Sequence, residues 1–226
     1  MPLSNQTIVI TGGNGALGAV VADCAKELGA RTVLIDQQFG AALLAAHECH
    51  CLDLTSVDSL SKVLAGVGPV DALFAIAGGF DMGLDVDDPD DRQWHAMFER
   101  NVQTLRSVLK AVVPGMRTRR GGSIVSVGAL CAREGKAQMS AYTASKAVVM
   151  NITESLATEM RGHGVRVNAV LPSIIDTAAN RAAMPDADVT QWVKPAALAD
   201  VMCFLASHAG RGVHGALLPV TGSSVD

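Results

Sequence analysis

Tyr142 is the only tyrosine among 226 residues, and Lys146 follows it four positions later. On a helix that spacing puts both side chains on one face. A free phenol titrates near about pH 10 and is a poor acid or base at neutral pH, but a nearby ammonium favours the phenolate and moves the value toward the working range. The chemistry on offer is proton transfer at a substrate oxygen. In an arbitrary sequence the same spacing would read as an ordinary surface pair; what lifts this pair above that reading lies upstream.

Thr11-Gly12-Gly13-Asn14-Gly15-Ala16-Leu17-Gly18 follows the β-branched run Thr7 to Thr11. It opens a stretch in which Ala16, Leu17, Val20, Val21, Cys24 and Leu28 recur at helical spacing. The glycines allow a tight turn and close backbone approach, and a helix amino terminus presents free N–H groups to a pyrophosphate. Such a turn can also simply join a strand to a helix. Here Asp36 stands 18 residues after Gly18, at the carboxyl end of the run Arg31 to Asp36, which is the context a dinucleotide site needs. Asp36 can accept hydrogen bonds from both hydroxyls of an adenosine ribose and would repel a 2′-phosphate, so NAD(H) is preferred over NADP(H). Arg31, at the start of that strand, is at the wrong end of the sheet to rescue a phosphate.

The elements that must position these groups alternate along the chain. After the first strand, helix and second strand come a strand near Cys49 to Leu52, a helix from about Ser56 to Ala65 and a strand from Ala72 to Ile76. A long helix from about Gln93 to Arg117 precedes the strand Ser123 to Val127, and a second from about Ser140 to Arg161 precedes the strand Val165 to Leu171. A helix near Pro195 to Ala206 and a strand near Ala216 to Val220 complete the pattern. Alternation of this kind predicts an α/β protein with a doubly wound parallel sheet of about seven strands and helices on both faces. No repeat, low-complexity segment or composition shift marks a boundary, so residues 1–226 read as one domain.

At this point the sequence resembles the short-chain dehydrogenase/reductase family over essentially its whole length. The matching pieces are the Thr11 to Gly18 turn, Asp53-Leu54 after the third strand, Asn101, Tyr142-Thr143-Ala144-Ser145-Lys146, and Pro172 with Thr177. The resemblance implies a three-layer Rossmann-like fold and an oxidoreductase acting on CH–OH or C=O groups. In it Tyr142 is the proton donor or acceptor, Lys146 holds the nicotinamide ribose and tunes the phenol, and Asn101 anchors a water leading to Lys146. By the same resemblance Asp53 meets the adenine, Ala77 and Gly78 pack by the cofactor, and Ile175 and Thr177 hold the carboxamide and phosphates.

Three departures matter. Ala16 stands where the family's turn usually has glycine, and Ala75-Ile76-Ala77-Gly78 replaces a more polar segment. The catalytic serine expected 13 residues before Tyr142 falls on Ala129. Losing such a donor costs about a hundredfold to a thousandfold at an oxyanion-type site. Ser126, earlier in the strand, and Ser140, about 200° round the helix from Tyr142, are poor replacements. Within the family the chain is locally similar to dihydropteridine reductases, which also work without that serine. Ala77-Gly78-Gly79-Phe80, Val170-Leu171-Pro172, Asp176-Thr177, Asn180-Arg181, Met184 to Asp188 and Trp192 run in that branch's order. Reduction of a quinonoid pterin or quinone is therefore an alternative, as is a cofactor-binding redox sensor or lyase without dehydrogenase activity.

Composition excludes other classes. With 22 acidic against 18 basic residues and 4% aromatics, the chain has neither the basic stripe nor the stacking surface that nucleic-acid binding requires. Its apolar runs are too short to span a membrane. Met1 to Gln6 carries no secretory signature, and five irregularly spaced cysteines read as reduced thiols, so a cytoplasmic location is expected. His47-Glu48-Cys49-His50-Cys51 has metal-ligand types but no second cluster, and a partly buried strand is the better account, so no metal is expected. The acidic run Asp85 to Asp91 reads as a solvated loop. The expected partners are a small-molecule substrate, under a short lid at about 178–194, and further copies of the chain. Ala147, Val148, Met150 and Ile152 give their helix more apolar surface than one sheet contact needs, which points to a homo-oligomer, a dimer or tetramer.

Overall fold

Seven short runs rich in Val, Ile, Leu and Ala form strands in the computed structural model, which describes residues 2–222. Met1 and residues 223–226, the ends of the expected 1–226 domain, lie outside the described residues. The strands are β1 (Thr7–Thr11), β2 (Arg31–Asp36), β3 (Glu48–Cys51), β4 (Ala72–Ala75), β5 (Gly122–Val127), β6 (Val165–Pro172) and β7 (Leu217–Val220). All pair in parallel, in the order β3-β2-β1-β4-β5-β6-β7. Helices α1 (Ala16–Glu27), α2 (Ala41–Ala46), α3 (Val57–Val67), α4 (Arg92–Phe98), α5 (Thr104–Arg119), α6 (Ser140–Met160), α7 (Ala178–Ala183) and α8 (Pro195–Ala206) connect them.

Successive residues of a strand point to opposite faces, and the core divides accordingly. Ile8, Ile10, Leu34, Phe74, Val125 and Val170 pack against Val21, Ala25, Leu198 and Met202 of α1 and α8. Val9, Val33, Ile35, Leu73, Ile124 and Val167 meet Leu60 and Leu64 of α3, Val108 and Val112 of α5, and Leu156 and Met160 of α6. Two buried faces explain why the strands are continuously apolar rather than alternating.

Strand order reverses between β1 and β4, so the loops after their carboxyl ends diverge to opposite faces and leave a crevice between them. Gly12, just past β1, has φ +72°, and a Cβ there would lie 2.8 Å from the Ala77 backbone beyond β4. Only glycine lets the two loops approach that closely.

The structure departs from the sequence-based expectations in three places. The helix expected from Gln93 to Arg117 is interrupted: α4 and α5 are separated by a π-helical turn, Glu99–Gln103, which carries Asn101. The short α2 was not anticipated, since it buries no residue and has no side-chain cap to announce it. On α6, Met150 packs inward with Ala129, Ala169 and Leu171, so part of the apolar surface ascribed to an oligomer contact is used within the chain.

Phe74 is fully buried on the central strand β4. Phe74→Ala is expected to cost about 3–5 kcal/mol of stability through the cavity it leaves, which urea denaturation followed by circular dichroism measures.

Candidate active site

The crevice at the strand carboxyl ends opens into a cavity of about 1160 Å³. It is bounded by the turn after β1, the ends of β2, β4 and β6, and the start of α6. Of the residues singled out from sequence, Gly12, Gly15, Ala16, Leu17, Asp36, Asp53 and Leu54 line it at one end. Ala77, Gly78, Tyr142, Lys146, Pro172, Ile175 and Thr177 line the remainder. Asn14 and Asn101 do not.

Helix α1 starts at Ala16 after the N-cap Gly15, with no side chain capping it and no acid in its first turn, so its amino-terminal N–H groups are free to meet an anion. Asn14 closes the turn: its N–H donates to Asp36 Oδ2 at 3.0 Å, and its Oδ1 accepts from the Gly40 N–H at 3.2 Å. Asp36 Oδ1 takes the Gln37 N–H at 2.7 Å, which fixes the carboxylate at the cavity wall with capacity for further donors. Asp53 is held by the Thr55 N–H and hydroxyl, at 2.9 and 2.8 Å, and those bonds pull its carboxyl below the usual range. Uncapped N–H groups, a fixed carboxylate one strand away and a cavity running on to a phenol match the parts of a nicotinamide dinucleotide.

At the other end, Lys146 is 6% exposed. Its Nζ donates to the Val127 carbonyl at the end of β5, at 2.9 Å, and burial pushes the ammonium down to about 8. Behind it stands Asn101, 1% exposed. Its Oδ1 accepts from the Gly79 N–H at 2.9 Å, while Nδ2 donates to the Gly79 carbonyl at 3.1 Å and to Ser145 Oγ at 2.9 Å. Ser145 Oγ in turn donates to the Tyr142 carbonyl at 2.8 Å. One amide thus ties the loop after β4 to the turn of α6 that carries the tyrosine and lysine. Gly78 lies between: a Cβ there would fall 2.5 Å from Asn101 Oδ1 and 3.2 Å from Lys146 Nζ.

The expectation that the ammonium lowers the phenol is not met in this structure. Burial, reinforced by the neighbouring Cys131 thiol, raises Tyr142 well above the ordinary phenol value. The i,i+4 spacing places the two groups on one face, but the amine is directed to the Val127 carbonyl and desolvation governs both groups. The Phe80 ring meets Tyr142 edge-on, with centroids 4.8 Å apart and planes at 79°.

Ala129 lines the cavity and is 3% exposed among Ala132, Met150, Ala169 and Leu171. Ser126 is engaged by Thr153 Oγ1 at 2.6 Å, so it does not present a free hydroxyl to the cavity. The expected lid is built from α7, capped by Thr177, and a 3-10 turn at Val189–Gln191, with the ion pair Asp176–Arg181 and buried Trp192 fastening its ends. Sequence reasoning did not single out Cys131, Glu134, Lys136 and Met139, which wall the cavity over Tyr142. Their position between β5 and α6 was the available signal, since that connection must pass over the tyrosine. The His47 to Cys51 cluster lies elsewhere: His47 bonds Thr32 Oγ1 and Asp23, and Glu48 joins Arg31 to His50.

The family model described as short chain dehydrogenase matches residues 6–188. The acetoacetyl-CoA reductase of a Synechocystis species is 31% identical over 98% of this chain and 97% of its own. A short chain dehydrogenase of Penicillium rubens is 27% identical over 96% of each chain. Among solved structures, a chain described as a putative NAD(P) dependent gluconate 5-dehydrogenase from Beutenbergia cavernae, with bound NADP at low occupancy, superposes with a TM-score of 0.89. It is 27% identical, covering 98% of this chain and 97% of that one.

The buried ammonium makes stability depend on pH. Its folded value of about 8 lies below the ordinary lysine value of 10.5, so the unfolded chain binds more protons between the two. Stability contributed by this group therefore rises with pH across that window. Raised cysteines and Tyr142 oppose it in the same range, so the expected outcome is that the stability difference between the native chain and Lys146→Met, read by urea denaturation, grows in favour of the native chain between pH 7.5 and 10.5.

Proposed function

The chain belongs to the short-chain dehydrogenase family, and on that premise we propose that it is an NAD(H)-dependent oxidoreductase that reduces a carbonyl carbon, with Tyr142 as the proton donor. The observation that carries this reading is the single cavity shared by the uncapped start of α1, Asp36, Tyr142 and Lys146. The nicotinamide, when bound, supplies the hydride. As the carbonyl π electrons move onto oxygen, the Tyr142 O–H gives its proton to that oxygen. Burial keeps the phenol protonated, the form that donates.

Lys146 would hold the ribose beside the nicotinamide, and Asp53 with Leu54 would meet the adenine. Ala77, Gly78 and Pro172 would pack along the cofactor, Gly12, Gly15, Ala16 and Leu17 would cradle the pyrophosphate, and Ile175 and Thr177 would hold the carboxamide and phosphates. Asn101 is a positioning residue, because its amide groups are engaged by Gly79 and Ser145 rather than turned to the cavity. Preference for NAD(H) rests on Asp36, whose carboxylate accepts hydroxyl donors and repels a phosphate. The partners are a small-molecule substrate and further copies of the chain, as dimer or tetramer.

A second reading, reduction of a quinonoid pterin, is favoured by Ala129. Without a hydroxyl there, the substrate receives one donor fewer, which an already electrophilic acceptor tolerates best. Activity on quinonoid dihydropterin far above that on any ketone would establish it.

Fluorescence titration is expected to give NADH a Kd at least about tenfold below that of NADPH, and Asp36→Ala to erase the difference. Tyr142→Phe is expected to lose about 10²–10⁴-fold in kcat while binding NADH nearly as before. Unchanged turnover in that variant would overturn the assignment.

A further inference from the structure

Five large hydrophobic side chains stand exposed among the described residues, and three of them, Phe80, Met82 and Ile174, line the cavity that holds Tyr142. Exposed apolar surface is thus gathered at one mouth rather than scattered, the pattern of a binding surface. Phe80 is 54% exposed even though its ring meets Tyr142 edge-on, so an apolar wall stands beside the phenol with room for a ligand. Met139 and Met184 extend the lining, and thioethers take aromatic edges well.

The polar groups nearby narrow the ligand further. The Ala129 side of the cavity is apolar and offers no hydroxyl. Glu134 and Lys136 pair with each other and present no net charge. Glu99 and Arg100, neighbours in sequence, also line the cavity, and Arg100 is the remaining cation at this rim outside the Tyr142–Lys146 pair, with no ion pair among the described residues. An anionic substrate would need it.

Resting on the oxidoreductase reading above, we propose that the substrate is a flat, uncharged aryl ketone or aldehyde whose ring lies against Phe80. In the step, a C–H bond forms at the carbonyl carbon from the hydride, and the π electron pair goes to oxygen. That oxygen takes the Tyr142 proton, so the ketone is reduced to a benzylic alcohol as NADH is oxidised. Phe80 is then the specificity-determining residue.

The test compares acetophenone, 2-butanone and pyruvate as acceptors for NADH. Acetophenone is expected to have the highest kcat/KM, by at least about tenfold over 2-butanone. That ratio should fall at least about tenfold in Phe80→Ala and persist in Phe80→Tyr, a comparison that an exposed residue permits without loss of fold. Independently, saturation-transfer NMR of acetophenone with the protein and NAD+, a pair that cannot react, should show contact with the ring protons that Phe80→Ala removes. Equal use of both ketones, or preference for pyruvate, overturns the proposal, and the second outcome assigns the rim to Arg100. Ring contact without reduction of any ketone leaves the aryl site standing and removes the oxidoreductase reading. Reduction without ring contact does the reverse.

Discussion

An ammonium taken out of water is costly unless something answers it, and Lys146 is answered by a single backbone carbonyl, that of Val127. No carboxylate pairs with it among the described residues. The surrounding structure can be understood as what holds this amine in place. β5 ends where its carbonyl can accept, Gly78 has no side chain to collide with Nζ, and Asn101 locks the loop after β4 to the helix that carries the lysine. A group kept at such a cost, with its value brought down to about 8, is characteristic of a site shaped for chemistry rather than stability.

Much of this was legible in the sequence. The β-branched runs and helical periodicities specify the parallel sheet, and the glycine turn with Asp36 at the next strand end marks one end of the cavity. The unread parts have physical causes. A π turn differs from an α turn by one residue, and the apolar pattern on either side of Glu99–Gln103 gives no warning of it. The direction of the Tyr142 shift is set by how deeply the phenol is buried, which no i,i+4 spacing encodes. The wall from Leu130 to Met139 is loop and short 3-10 turn, where periodicity is silent, although the chain has no other route from β5 to α6.

Ala129 and Phe80 belong to one account. The Ala129 methyl offers no donor to the cavity and joins the apolar cluster of Met150, Ala169 and Leu171. The Phe80 ring, edge-on to Tyr142, adds a second apolar surface next to the phenol. Low polarity strengthens each remaining electrostatic contact around the phenol.

The π turn carries a consequence for how this chain can vary. One extra residue is accommodated in that widened turn, so deleting any single residue between Glu99 and Gln103 would restore an unbroken α-helix. Everything on one side would then rotate by about 100° relative to the other. Asn101 would swing away from Gly79 and Ser145, and the two halves of the cavity would lose their tie. Length in those five residues is therefore under a stricter constraint than identity, and relatives that keep this amide bridge should differ there by substitution and not by insertion or deletion.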